Sequence, residues 1–246
     1  MKTVKIIGII PSRYKSSRFE GKPLADILGK PMVWWVFRAA SRVELLDEVY
    51  VATEDRRVKR VCDQYNIPVI MTSDKHKTPN DRIYEVSTKV NSDIYVVILG
   101  DEPLIEPDAI RAVLPDRERM SEFYVTNLVT EIKDPAQVID CTNNKLITNQ
   151  KNEIIYASRS PIPYPKGSLN IKYRKILGIS AMCKEALEFY HNTPRSEVER
   201  AEEIDLLRWV ENGKKVVAID YDSEMLSVDT PKDLEEVRKI MAIREG

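Results

Sequence analysis

Short apolar, β-branched runs alternate with helix-spaced patterns along the first half of the chain, and this alternation constrains the fold more than any other feature. Residues 4–10 form one such run, ended by Pro11; residues 48–53, 68–71 and 94–99 form the others. A parallel strand covered on both faces reads as a continuous apolar stretch, because neither face meets water. Between these runs, residues 31–40 set Met32, Val33, Val36, Phe37 and Ala40 on one helical face. Residues 55–65 do the same with Val58, Val61 and Cys62, and helices over 81–90 and 107–114 complete the series. Strands alternating with helices predict βαβ units: an α/β fold with a mainly parallel sheet and helices on both faces.

The middle of the chain changes character. Residues 124–130 alternate like a half-exposed strand, and 145–148 with 153–156 read as a hairpin about Asn149-Gln150-Lys151-Asn152. Residues 160–167, with three prolines and a glycine, are loop. An extended stretch is predicted over 172–183 and a helix over 184–191. A charged helix follows over 197–212, with Ala201, Ile204, Leu207 and Val210 as its apolar stripe and Gly213 as its stop. Residues 215–219 read as a strand. The last helix opens at Thr230-Pro231, where Thr230 suits the N-cap, Pro231 the first helical position and Asp233 the cap's partner. The pattern describes one domain over 1–246 with an inserted β-rich lobe at roughly 120–180.

Composition excludes several classes. Across 246 residues, 38 Lys and Arg balance 39 Asp and Glu, so no electrostatic footprint for nucleic acid exists. Cys62, Cys141 and Cys183 are too few and too scattered for a disulfide framework or a thiolate zinc site. No apolar run approaches the ~20 residues that span a bilayer. The opening Met1-Lys2-Thr3 runs straight into the first strand without a small-residue cleavage site, so it is not read as a signal peptide. The expectation is a cytoplasmic globular protein with neither membrane nor nucleic-acid partners.

Three segments can carry chemistry. Pro11-Ser-Arg-Tyr-Lys-Ser-Ser-Arg-Phe-Glu-Gly-Lys-Pro23 places Arg13, Lys15, Arg18 and Lys22 within ten residues, just after the first strand. Ligands of open α/β sheets bind at carboxyl ends of strands, and clustered Arg and Lys can grip a triphosphate there. Charge alone favours a solvated basic loop; its position after the first strand shifts the reading to phosphate. The glycine spacing fits neither a Walker A loop nor a dinucleotide fingerprint. Gly100-Asp-Glu-Pro103 ends the most apolar strand. Asp101 there is either a turn residue or a ligand for Mg²⁺, which takes one or two carboxylates plus substrate phosphates. Asp229, before the last helix, is either a favourable anion at a helix start or a second magnesium ligand. Arg159, beside Ser158, is a surface arginine or a grip for an anionic acceptor. His76 and His191 lack an obvious partner, and Trp34 and Trp35 read as core.

Together these segments resemble the CMP-Kdo synthetases (3-deoxy-manno-octulosonate cytidylyltransferases). Residues 9–32 resemble the family's opening pattern, Ile-Pro-Ala-Arg-Tyr-x-Ser-x-Arg-x-x-Gly-Lys-Pro-Leu. Val51-Ala-Thr, Met71-Thr72, Gly100-Asp-Glu-Pro103, Ser158-Arg159 with Ile162-Pro163, Leu177-Gly-Ile179 and Val228-Asp-Thr-Pro-x-Asp-Leu234 follow in the family's order, over nearly the whole chain. The resemblance implies a nucleotide-diphospho-sugar transferase fold, a Mg²⁺-dependent enzyme, a homodimer and a role in lipopolysaccharide or surface polysaccharide biosynthesis. It implies transfer of CMP from CTP to an acidic sugar, with release of pyrophosphate. Carried over by position, Pro11, Arg13, Arg18 and Lys22 would bind CTP, and Thr72 and Ser73 would lie near the cytosine. Asp101 and Asp229 would hold the metal and, with Lys22, serve catalysis. Arg82 and Arg159 would face the acceptor. The acceptor side departs from the family: Leu99, Ile176 and Leu206 stand where it has Gln, His and Gln, and Thr78-Pro-Asn-Asp-Arg82 replaces Ser-Gly-Thr-Glu-Arg. A pocket that loses polar partners changes its hydroxyl recognition. The sequence therefore leaves open the same transfer to another ulosonic acid or a phosphonate, or a nucleotide-binding module without catalysis.

Overall fold

The computed structural model describes residues 4–16, 18–115, 123–168, 170–223 and 225–245. Three pieces of sequence singled out above lie outside the described residues: Met1-Lys2-Thr3, Ser17 of the cationic loop, and the start of the inserted lobe at 120–122. The chain forms two compact units, residues 1–111 with 224–246, and residues 112–223.

The first unit begins with β1 (Ile6–Pro11), a 3₁₀ turn at Lys22–Leu24, and the short pair β2 (Asp26–Ile27) and β3 (Lys30–Pro31). Then come α1 (Met32–Ala40), β4 (Glu48–Thr53), α2 (Arg56–Gln64), β5 (Val69–Met71), α3 (Pro79–Lys89), β6 (Ile94–Ile98) and α4 (Pro107–Ala112). Its strands run parallel in the order β6-β1-β4-β5. The central two are apolar for the expected reason: every residue of β6 and all but Pro11 of β1 are buried.

In the second unit, β7 (Val125–Glu131), α5 (Pro135–Ile139), β8 (Lys145–Thr148), β9 (Ile154–Ser158) and β10 (Arg174–Cys183) precede α6 (Lys184–Asn192), α7 (Glu197–Glu202), α8 (Leu207–Glu211) and β11 (Val217–Asp220). Here pairing is mostly antiparallel: β10 with β7 and β8, and β8 with β9; only β11 runs parallel to β7. The β-rich stretch expected from sequence falls within this unit.

The chain then returns to the first unit as α9 (Pro231–Glu245), whose Leu234, Val237 and Met241 pack with Ile27, Met32, Trp35 and Leu104. Trp35 is core, as expected, and its indole N–H donates to Ile27 O at 2.9 Å.

The predicted helix over 197–212 is two helices. Glu203 adopts the left-handed conformation (φ 51°) and ends α7. Ala201 is exposed, and the buried residues are Ile204, Leu206, Leu207, Arg208 and Trp209, a run rather than a stripe. The break has a physical reason. In one continuous helix, Glu199 and Arg208 would sit on opposite faces, about 13 Å apart along the axis. The break lets them meet: Arg208 Nε and Nη2 reach the two Glu199 oxygens at 2.8 and 2.7 Å, both residues almost fully buried. The helix predicted to open at Asp81 instead opens at Pro79, because Thr78 and Asp81 form a capping box. Sequence reading also missed α5, β2 and β3, which are too short to show a period.

Candidate active site

The cationic loop leaves the carboxyl end of β1 and is stitched at its mouth. Ser12 N–H donates to Ala52 O (2.9 Å), and Gly21 N–H donates to Tyr14 O (2.8 Å). Gly21 takes φ +73°, which opens the turn that carries Lys22. At the end of β6 the neighbouring chain is so near that a Cβ on Gly100 would lie 2.9 Å from Ser12 Oγ and 3.1 Å from Pro11 O. Glycine is therefore required there, and Asp101 follows it directly beside the loop.

Asp229 arrives from the far end of the chain. Val228 N–H donates to Asp101 O at 2.8 Å, tying the two aspartates' segments together. Asp233 then accepts from the backbone N–H groups of Asp229 (3.0 Å) and Thr230 (2.8 Å) and from the Thr230 hydroxyl, the cap expected from sequence. The result is a partly buried charge cluster. Lys22 Nζ lies 2.8 Å from Asp101 Oδ2 and 3.4 Å from Asp229 Oδ1, and Arg18 Nη2 lies 3.0 Å from Asp229 Oδ1. Three sequence segments thus converge as their strand-end and helix-start positions suggested. Arg13 is exposed, and Pro11 is half-buried at the end of β1.

A second polar group lies in the same unit at the ends of β4 and β5. Arg82, 1% exposed, pairs with Glu54 Oε2 at 2.8 Å and hydrogen-bonds Thr72 Oγ1. Burial lowers the Arg82 pKa, Glu54 opposes that shift, and Arg13 adds to it, which places Arg13 within electrostatic reach. The other Glu54 oxygen accepts Tyr14 N–H at 3.2 Å. Sequence reading missed Glu54, although it ends a strand as Asp101 does and the same rule points to it. Ser73 N–H donates to Glu85 Oε2 at 2.8 Å, and His76, which had no partner in sequence, pairs with the same carboxylate. Burial pushes the Glu85 carboxyl up, but Lys89, the Ser73 N–H and His76 outweigh it and hold it down at about 2.

Arg159 belongs to the second unit, and its guanidinium is engaged there. It donates to Glu202 O (2.6 Å) and Glu203 O (3.4 Å) at the end of α7, and to Cys141 O (2.9 Å). Of the positions that depart from the family, Leu206 is buried in that unit's core, while Leu99 and Ile176 are half-buried.

The donor set at Lys22 suits a hard divalent cation bound with phosphates. It offers two half-exposed carboxylates, and among the described residues no group of three or more His, Cys, Asp or Glu could hold a metal. Mg²⁺ needs no all-protein cage, since it takes one or two carboxylates and completes its shell with water and phosphate oxygens. Among the described residues, no helix is long and apolar enough to cross a membrane.

Known proteins resemble this chain over almost its whole length. A family profile described as cytidylyltransferase matches residues 7–216. The 3-deoxy-manno-octulosonate cytidylyltransferase of Escherichia coli is 37% identical over 238 residues, covering 97% of this chain and 96% of its own. Its namesake from Christiangramia forsetii is 36% identical over 241 residues, covering 97% of each. A solved structure described as CMP:2-keto-3-deoxy-manno-octonic acid synthetase complexed with CTP superposes with a TM-score of 0.92 at 37% identity, over 98% of this chain and 99% of that one.

Proposed function

This chain belongs to the cytidylyltransferase family, and on that premise we propose that it transfers CMP from CTP to 3-deoxy-manno-octulosonate, releasing pyrophosphate. Its fold is the α/β nucleotide-diphospho-sugar transferase fold. One observation carries the reading: the cationic loop and Asp101 lie within the family-matched residues 7–216, and the loop's cations pair with the carboxylate of Asp101 at a strand end and with that of Asp229, which comes after the matched segment.

In the proposed reaction a sugar hydroxyl attacks the α-phosphorus in line. The bond from α-phosphorus to the bridging oxygen breaks, pyrophosphate leaves, and the hydroxyl proton passes to solvent. Arg13, Arg18 and Lys22 hold the triphosphate and offset its charge, while Thr72 and Ser73 stand at the base. Arg82, and Arg159 in the second unit, are the acceptor-side cations carried over from the family pattern. Asp101 and Asp229 would hold Mg²⁺, which when bound supplies positive charge against the phosphate oxygens. Positioning and electrostatics carry such a transfer, so no nucleophilic triad is needed.

The family resemblance supports a homodimer as the working form. We place the enzyme in the cytoplasm, with CTP, and its product in surface polysaccharide synthesis.

The test is pyrophosphate release with Mg²⁺, each of the four nucleoside triphosphates, and a panel of Kdo, other ulosonic acids and small phosphonates. CTP with Kdo is expected to give the highest kcat/KM. A higher kcat/KM with another acid assigns the acceptor to the departures at Leu99 and Ile176. Binding of CTP without turnover on any acid makes the chain a nucleotide-binding module.

Lys22→Ala is expected to reduce CTP affinity or kcat/KM by more than about tenfold, since one charge-assisted contact is worth ~1.5–3 kcal/mol. Calorimetric titration with CTP beside steady-state rates checks this. Unchanged affinity and rate would show that Lys22 serves only its two aspartates.

A further inference from the structure

The cationic loop has a structural problem of its own. Four like charges within ten residues repel one another, so a loop free to spread would hold them apart. The contacts of Tyr14 counter this. Its carbonyl closes the loop by accepting Gly21 N–H, and its N–H is held by Glu54. Its ring lies against Gly21, where a Cβ would come within 3.2 Å of Cζ and Oη. The Arg57 guanidinium stacks on the same ring, 3.3 Å from its centroid. Arg57 is itself fixed: Asp55, the N-cap of α2, accepts its Nε at 3.0 Å and its Nη2 at 2.7 Å. The guanidinium edge is thus committed to Asp55 and its flat face to the tyrosine.

We propose that Arg57 is a positioning residue for nucleotide binding: through Tyr14 it pins the loop that carries Arg13, Lys15, Arg18 and Lys22 to the start of α2. Among the described residues, the contacts of Arg57 are with Asp55 and the Tyr14 ring. It holds the ring of the residue between Arg13 and Lys15, and that residue's backbone closes the turn before Lys22. The inference rests on the reading of this loop as the CTP site.

The experiment measures CTP binding by calorimetry and steady-state pyrophosphate release for the unmodified protein, Arg57→Ala, Tyr14→Phe, Tyr14→Ala and the Arg57→Ala/Tyr14→Ala double variant. Arg57→Ala is expected to raise Kd and KM for CTP about fivefold, with kcat and the acceptor KM changed by less than about twofold. Tyr14→Phe keeps the ring and should bind CTP normally. The double variant should bind no more weakly than Tyr14→Ala, because both changes remove one stack. A thermal melt unchanged in Arg57→Ala separates positioning from general destabilisation. If Arg57→Ala binds CTP as the unmodified protein does, or if the two changes add, the inference is overturned alone. If the unmodified protein does not bind CTP, the nucleotide reading falls and this inference falls with it.

Discussion

Asp101→Asn is expected to cut pyrophosphate release at least about a hundredfold, the loss seen when one well-placed electrostatic group is removed from a transfer site. Asparagine keeps the size and the turn but removes the negative charge. The lost contact with Lys22 is partly exposed, so its share of stability is at most about 1 kcal/mol and the melt should barely move. Asp229→Asn should behave alike, because Lys22 touches both carboxylates. The double variant should be little worse than either single one, since groups acting as a unit are not additive. Rates in EDTA give the complementary readout. Full activity in either variant, or undiminished turnover in EDTA, would remove the metal assignment for these two residues.

The second large effect is on stability, in the other unit. Arg208→Met is expected to cost about 3 kcal/mol, at the lower end for breaking a buried ion pair. Methionine keeps the apolar stem but leaves the Glu199 carboxylate buried. Arg195, with Nε 3.0 Å from Glu199 Oε1, remains as a partial partner and limits the loss. The guanidinium also faces the Tyr190 ring at 3.7 Å and donates to Tyr190 O at 3.0 Å, contacts that methionine cannot replace in kind. Glu199→Leu/Arg208→Met should recover much of the loss, because the charge it strands, that of Arg195, is partly exposed rather than fully buried. Urea unfolding followed by tryptophan fluorescence suits the test, since Trp209 packs on Tyr190, the ring that the Arg208 guanidinium faces, and donates to Ala186 O. A single variant as stable as the unmodified protein would show that Glu199 is adequately held by Arg195.

What could be read from sequence depended on how local its cause was. β1 and β6 were legible because two-sided burial writes itself as an unbroken apolar run, and β4 because Val49, Val51 and Ala52 are buried. The α9 cap was legible because Thr230, Pro231 and Asp233 are neighbours in sequence. The same cap logic holds at Thr78 and Asp81, with Pro79 at the first helical position. The break at Glu203 was not legible, since its reason is a side-chain pair nine residues apart that only a non-helical path can bring together. The cluster of Lys22, Asp101 and Asp229 was legible as positions at strand and helix ends, but not as contacts. Glu54 was legible as a strand-end carboxylate, but its meeting with Tyr14, like that of Arg57, is made by the fold. The engagement of Arg159 with carbonyls of α7 was hidden for the same reason.

The return of the chain to its first unit sets an order of assembly during synthesis. A nascent chain that has reached residue 223 already holds β1, β4, β5 and β6, the whole cationic loop and Asp101. Lys22 can meet Asp101 across 79 residues at that stage, but Asp229 lies 207 residues from Lys22 and has not yet been made. Closing so long a loop carries an entropy cost that rises slowly with length and puts this contact late in folding. The packing of α9 against Ile27, Met32 and Trp35 then draws the last segment home. A chain ending before Asp229 would therefore lack the second carboxylate of Lys22, and one ending before α9 would lack the packing that draws Asp229 home.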